Sequence, residues 1–120
     1  MLMARNAALV TTWSQPARGR EAKAIESFMD FLTFWGKMAA DGKVAEPEPY
    51  FSYDGGHGFG IVKGPSDLLQ AAIETDDYQK LISKAQLTVS DLRQEFYVTG
   101  DEEIQRGMQI YTEALKELGY

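Results

Sequence analysis

The 120-residue sequence contains no cysteine and one histidine, His57. The first absence removes disulfides, thiolate catalysis and thiolate metal sites together. The second all but removes zinc, which is usually held by His or Cys. Basic residues are also few: 12 Lys and Arg stand against 18 Asp and Glu, for a net charge of −6. Nucleic-acid binding needs clustered cations to displace counterions, so this balance argues against it. The acidic residues are spread along the chain and read as a solvated, self-repelling surface. No apolar run approaches the roughly 20 residues needed to span a bilayer. The segment Met1-Leu2-Met3-Ala4-Arg5-Asn6 lacks the apolar core of a signal peptide. The expectation is a cytoplasmic protein with no cofactor, no metal site, and neither nucleic acid nor membrane as partner.

What is present suffices for one domain over residues 1–120. Six Phe, six Tyr and two Trp supply a core, and a disordered chain would be poor in them. Ala7–Trp13 is β-branched and aromatic and stops at Ser14-Gln15-Pro16, which predicts a first strand. A helix is expected from about Arg20 to Asp41, ended by Gly42. Ile25, Phe28, Met29, Leu32, Trp35 and Ala39 recur at helical spacing as its buried face. A second row, Phe31, Phe34 and Met38, makes the apolar arc wider than one sheet surface requires. The excess implies a further contact: a pocket, another helix or a second subunit.

Val44 to Pro49 reads as a loop and Tyr50–Tyr53 as a short strand. Asp54-Gly55-Gly56 is a hairpin signal, because glycine tolerates the positive φ of tight turns. Gly58–Lys63 is the returning strand, with Phe59 and Ile61 on one face. Gly58 and Gly60 leave the other face bare, so that another group can approach closely. Ser66 is expected to cap a helix that buries Leu68, Leu69, Ala72 and Ile73. A short helix follows from Asp77 to Ala85. Leu92–Thr99 alternates, with Leu92, Phe96 and Val98 on one side and Arg93, Glu95, Tyr97 and Thr99 on the other. The last helix runs from about Asp101 to Leu118. The resulting β-α-β-β-α-β-α order predicts an α+β, ferredoxin-like β-α-β-β-α-β sandwich with an additional C-terminal helix.

This order resembles the dimeric α/β-barrel superfamily. Asp54-Gly55-Gly56-His57-Gly58-Phe59-Gly60-Ile61-Val62-Lys63-Gly64, a helix, and then Asp76-Asp77-Tyr78 are similar to its YCII-related branch. In that branch a hairpin strand precedes a helix and an Asp-Pro-Phe-like step; here the proline is missing. The resemblance covers about residues 7 to 100. It implies a homodimer in which two sheets pair face to face with two-fold symmetry. The superfamily includes cofactor-independent monooxygenases, isomerases, haem enzymes and proteins with no known reaction, so fold does not settle function.

His57 is the candidate acid or base, because histidine exchanges protons near neutral pH. A carboxylate, Asp54 or Asp77, would orient it. The plainer reading is a surface histidine at the start of a hairpin strand, and it is the favoured one. Gly56-His57-Gly58-Phe59-Gly60 lacks nucleotide-loop spacing and precedes a strand, not a helix. Arg93 and Tyr97 share a strand face, and with Trp13, Tyr53 and Phe59 they form a candidate aromatic ligand site. Against this stands an exposed Arg93–Glu95 pair that contributes about 0–1 kcal/mol. Arg18 and Arg20 are candidate anion contacts, or plain loop charges. Asp101, Glu102 and Glu103 are accounted for by the dipole of the helix they start. Three functions follow: a dimeric binder of a small apolar or aromatic molecule, a cofactor-independent isomerase or monooxygenase using His57, and a non-catalytic dimerisation module.

Overall fold

The computed structural model describes residues 5–120. Strand β1 (Asn6–Trp13) leads through a basic loop to helix α1 (Glu21–Ala40). Strands β2 (Glu48–Phe51) and β3 (Gly58–Pro65) form a hairpin, and helices α2 (Ser66–Ile73) and α3 (Asp76–Gln86) follow. Strand β4 (Arg93–Val98) and helix α4 (Asp101–Glu117) complete the chain. The four strands form one antiparallel sheet in the order β2-β3-β1-β4. This is the expected ferredoxin-like α+β arrangement with one helix added. Among the described residues, no helix is long and apolar enough to cross a membrane.

Local chemistry explains most boundaries. At the end of α1, Gly42 takes φ 74° and its N–H donates to the Ala39 carbonyl at 2.9 Å. That is a left-handed stop which a side chain would strain. Thr75 caps α3: its Oγ1 accepts from Tyr78 N at 3.2 Å. Two expectations shift. Strand β2 begins at Glu48 and includes Pro49, which an edge strand tolerates because one side of its backbone needs no partner. Ser66 does not cap α2. It is the helix's first residue, Pro65 holds the cap position, and Ser66 Oγ accepts from Arg5 N at 3.2 Å.

The register decides which side of the sheet is buried. Leu9 pairs with Val62 and Phe96, and Thr11 with Gly60 and Gln94. All lie on the helix-facing side, and the helices cover Leu9, Val62 and Thr11 but leave Phe96 exposed. Leu9, Val62, Phe31, Trp35, Leu69, Ala72 and Tyr78 form the core. In α1 the buried residues are Ala24, Phe31 and Trp35, while Ile25 and Met29 are exposed. The Phe31 row therefore meets the sheet and part of the first row turns outward. A wide apolar arc has no single centre, and packing chose one edge of it.

One polar knot sits inside this core. Gln94 Nε2 donates to Thr11 Oγ1 at 3.1 Å and to the Tyr78 hydroxyl. The Tyr78 ring meets Trp35 at 5.3 Å and Phe34 at 5.0 Å. Burial holds the Tyr78 hydroxyl neutral above its ordinary 10.0, partly opposed by its bond to Gln94. The folded state thus prefers the protonated form. Stability from this group is intact below pH 10.0 and declines as pH rises through the raised value. Tyr78→Phe should cost about 1–3 kcal/mol at neutral pH by leaving Gln94 short of an acceptor. It should also flatten the alkaline loss, which urea denaturation of both proteins above pH 10.0 measures.

Candidate functional site

The site begins with two missing side chains. Gly58 faces Trp13 across the β1–β3 pair, and Gly60 faces Thr11. A Cβ on Gly58 would lie 2.8 Å from Trp13 Cζ2 and 2.7 Å from the Tyr50 carbonyl oxygen. A Cβ on Gly60 would lie 3.2 Å from Phe31 Cε1. The bare strand face is therefore a floor on which two aromatic rings rest. Trp13 meets Phe28 at 5.7 Å and Phe51 at 6.2 Å, and Phe28 meets Phe51 at 5.1 Å, in tilted or edge-on geometries. Aromatic rings favour such angles over face-to-face stacking.

These rings wall one side of a pocket of about 200 Å³ between the sheet and the helices. Helix α1 contributes Ala24, Phe28 and Phe31, and helix α3 contributes Leu81, Ile82 and Ala85. Val89 and Leu92, in the loop before β4, close the far side. That loop is fastened to the one after β1: Ser14 N donates to the Ser90 carbonyl at 2.9 Å, and Ala17 N to that of Thr88 at 2.8 Å. Arg20 Nη1 donates to the Leu87 carbonyl at 2.8 Å. This contact gives Arg20 a structural task where the sequence left an anion contact or a plain loop charge. The lining is mostly apolar, with Thr11, Ser14, Ser27, Thr88 and His57 as its polar residues.

His57 reaches the pocket from the β2–β3 turn. Its N–H donates to Ser52 Oγ at 3.1 Å, and its carbonyl accepts from Ser52 N at 2.9 Å. Ser52 Oγ in turn donates to Asp54 Oδ1 at 2.7 Å, and Gly56 N donates to the same oxygen at 2.9 Å. Gly55 supplies the positive φ, 76°, that the turn demands. The Gly56 N–H and then the Ser52 hydroxyl hold the Asp54 carboxyl below its usual range, with a smaller contribution from His57. Asp54 is thus a brace for the turn. Among the described residues no ion pair joins His57 to a carboxylate, so neither Asp54 nor Asp77 orients its ring. His57 stands at the pocket rim, exposed to water.

The expected ligand residues separate into three places. Trp13 lines the pocket. Tyr53 projects from the turn, fully exposed. Phe59, Arg93 and Tyr97 lie on the opposite face of the sheet, because Phe59 pairs with Thr12 and Arg93 also pairs with Thr12. There Phe59 stacks on Tyr50 at 4.9 Å, and the Tyr97 hydroxyl donates to Glu95 Oε2 at 2.7 Å. Sequence reasoning passed over Phe51 and the α3 residues Leu81 and Ile82. Phe51 had a usable signal: a turn over Ser52–His57 sets it opposite Gly58. No group of three or more potential metal ligands occurs among the described residues.

No protein-family model matches the chain, and no curated protein matches it in sequence. Solved structures match in fold. SnoaB, a cofactor-independent oxygenase from Streptomyces nogalater, superimposes with a TM-score of 0.65 at 10% identity, over 82% of this chain and 96% of its own. A provisionally assigned antibiotic biosynthesis monooxygenase from Caulobacter crescentus gives 0.62 at 14% identity, over 82% and 93%. A Bacteroides thetaiotaomicron protein of unknown function, suggested to be an oxidoreductase, gives 0.61 at 11% identity, over 82% and 100%. At these identities the likeness is one of fold. The shared fold is the ferredoxin-like α+β sandwich.

Proposed function

We propose that the protein binds a small planar aromatic molecule in the pocket between β1, α1 and α3. The observation that carries this reading is the cluster of Trp13, Phe28 and Phe51 along one wall of a largely apolar space of about 200 Å³. An apolar cavity of roughly 150 Å³ holds benzene, so this one has room for a one- or two-ring compound. The few polar residues on its wall would select the orientation of a polar substituent. The reading takes the protein as cytoplasmic and in need of no cofactor or metal.

A second reading makes the site catalytic, and the position of His57 at the pocket mouth favours it. A phenol or enol seated among the rings would give its proton to the imidazole. The anion left behind would add dioxygen at a ring carbon, and loss of water from the resulting hydroperoxide would leave a quinone; the substrate then supplies all four electrons, so an oxygenase of this kind requires no other reductant. SnoaB is a cofactor-independent oxygenase of the same fold. In this reading Asp54 acts through the turn, as a positioning residue. A closer kinship with the YCII-related branch rests on Asp54–Gly64 and Asp76-Asp77-Tyr78 alone.

We further infer that a second copy covers the open sheet face, where Val10, Phe59, Ile61 and Tyr50 form an apolar patch beside Tyr97, Arg93 and Glu95. Phe59, Arg93 and Tyr97 then belong to the interface, and Tyr53 stands near its margin.

Four outcomes are expected. In calorimetric titrations with naphthols and related phenols, the protein should bind at least one, and Trp13→Ala should weaken it about tenfold or more, equal to about 1.4 kcal/mol. If no member of the set binds, the pocket reading falls. His57→Ala should abolish any oxygen uptake while leaving that affinity unchanged. Gly58→Ala should lower stability by about 1–3 kcal/mol and displace the Trp13 ring, visible as a shifted fluorescence maximum. Sedimentation equilibrium at micromolar concentration should return twice 13.4 kDa; a single-chain mass would remove the dimer.

A further inference from the structure

Helix α4 is a complete amphipathic helix with nothing under it. None of its residues is buried. Among the described residues, its ties to the body are confined to its root, where Arg5 Nε lies 3.8 Å from Glu103 Oε2 and Gly100 approaches Asn6. The chain's radius of gyration is 17.0 Å and its long axis 55 Å, whereas a compact chain of this length has a radius near 14 Å. The helix projects as an arm. A lone helix of this length is marginal in water, so its apolar side needs a surface.

The pattern along the arm narrows what that surface is. Ile104, Met108, Tyr111, Leu115 and Leu118 recur at alternating steps of four and three. That is the seam of a helix laid along a protein partner. Ile104, Met108, Tyr111 and Leu118 are 51%, 65%, 65% and 74% exposed. The positions flanking the seam, Gln105, Gly107, Thr112 and Ala114, carry no charge. From Glu102 onward the charges lie on the far side. Five acidic against two basic side chains disfavour an anionic lipid surface as the cover.

We propose that α4 packs its Ile104–Leu118 seam on a second copy of this chain, each protomer giving one arm and receiving one. This rests on the pairing of open sheet faces argued above. Area supports it. Strands about 4.8 Å apart and about 20 Å long give this sheet roughly 400 Å² of face. A stable interface takes about 800 Å² from each partner. An arm about 25 Å long and about 10 Å wide, both given and received, makes up roughly that difference. The solved structures of the same fold are spanned almost completely by the match, while about a fifth of this chain has no counterpart in them. Residues 101–120 amount to about that length, as an added interface element would.

The test is the full chain with Met108→Glu and Leu115→Glu together, beside a control with Arg106→Gln and Glu113→Gln on the charged side. Sedimentation velocity reads the assembly, circular dichroism the helix content, and the combined fluorescence of Trp13 and Trp35 confirms that the body is folded. The seam variant should dissociate at concentrations at least tenfold higher than the parent and lose helical signal, with the control unchanged. If the seam variant dimerises like the parent, the arm proposal is overturned while sheet pairing stands. If the parent itself is monomeric, both fall. A monomeric parent that nonetheless loses helix in the seam variant would assign the arm to its own Phe96 and Val98.

Discussion

The structure depends on the contact between rings and bare backbone along β3. Gly58 and Gly60 point toward the helices, and each receives an aromatic ring from a neighbouring element. Gly64 repeats the device with Val44, whose Cγ1 would lie 3.0 Å from an added Cβ. Glycine within a strand ordinarily weakens it, through lost packing and greater chain entropy. Here the loss is offset, because a large ring packs directly on the peptide plane and shields its hydrogen bonds. Trp13 thereby rests against Gly58 at the end of β1, Phe31 of α1 reaches Gly60, and the pocket opens beside them.

The sheet then divides the molecule's tasks. One face carries the core and the pocket; the other carries Tyr50, Phe59 and Tyr97. Because strand side chains alternate, a single register assigns each residue to one task. Trp13 and Arg93 cannot share a ligand across this sheet, however close they are in the plane. The proposed ligand site and the proposed pairing face are therefore physically separate, and a change on one face need not disturb the other.

Much of this was legible in the sequence. The order of elements followed from periodicity and breakers, and Gly42, Gly55 and Gly58 were correctly given their tasks as a helix stop, a turn residue and a close approach. The ambiguous parts were those where two surfaces competed for one residue pattern. Helix α1 has two apolar rows, and only the glycine floor decides that Phe31 turns inward while Ile25 and Met29 turn out. Leu92–Thr99 alternates as a half-buried strand should, yet β4 lies at the sheet edge, where the helices leave Phe96 and Val98 uncovered. The site was half visible for the same reason. His57 and Trp13 stood out by type, but their neighbours Leu81 and Ile82 come from α3, whose placement needs the whole fold.

A cavity floored by backbone can be reshaped in only one direction. Any substitution at Gly58 or Gly60 raises the floor, and none can lower it. Room for a larger guest must come from the ceiling, through Phe28, Phe31 and the facing residues of α3. Divergence in what such a pocket accepts would then be written in helix side chains, while the glycines stay as the fixed datum from which its depth is measured.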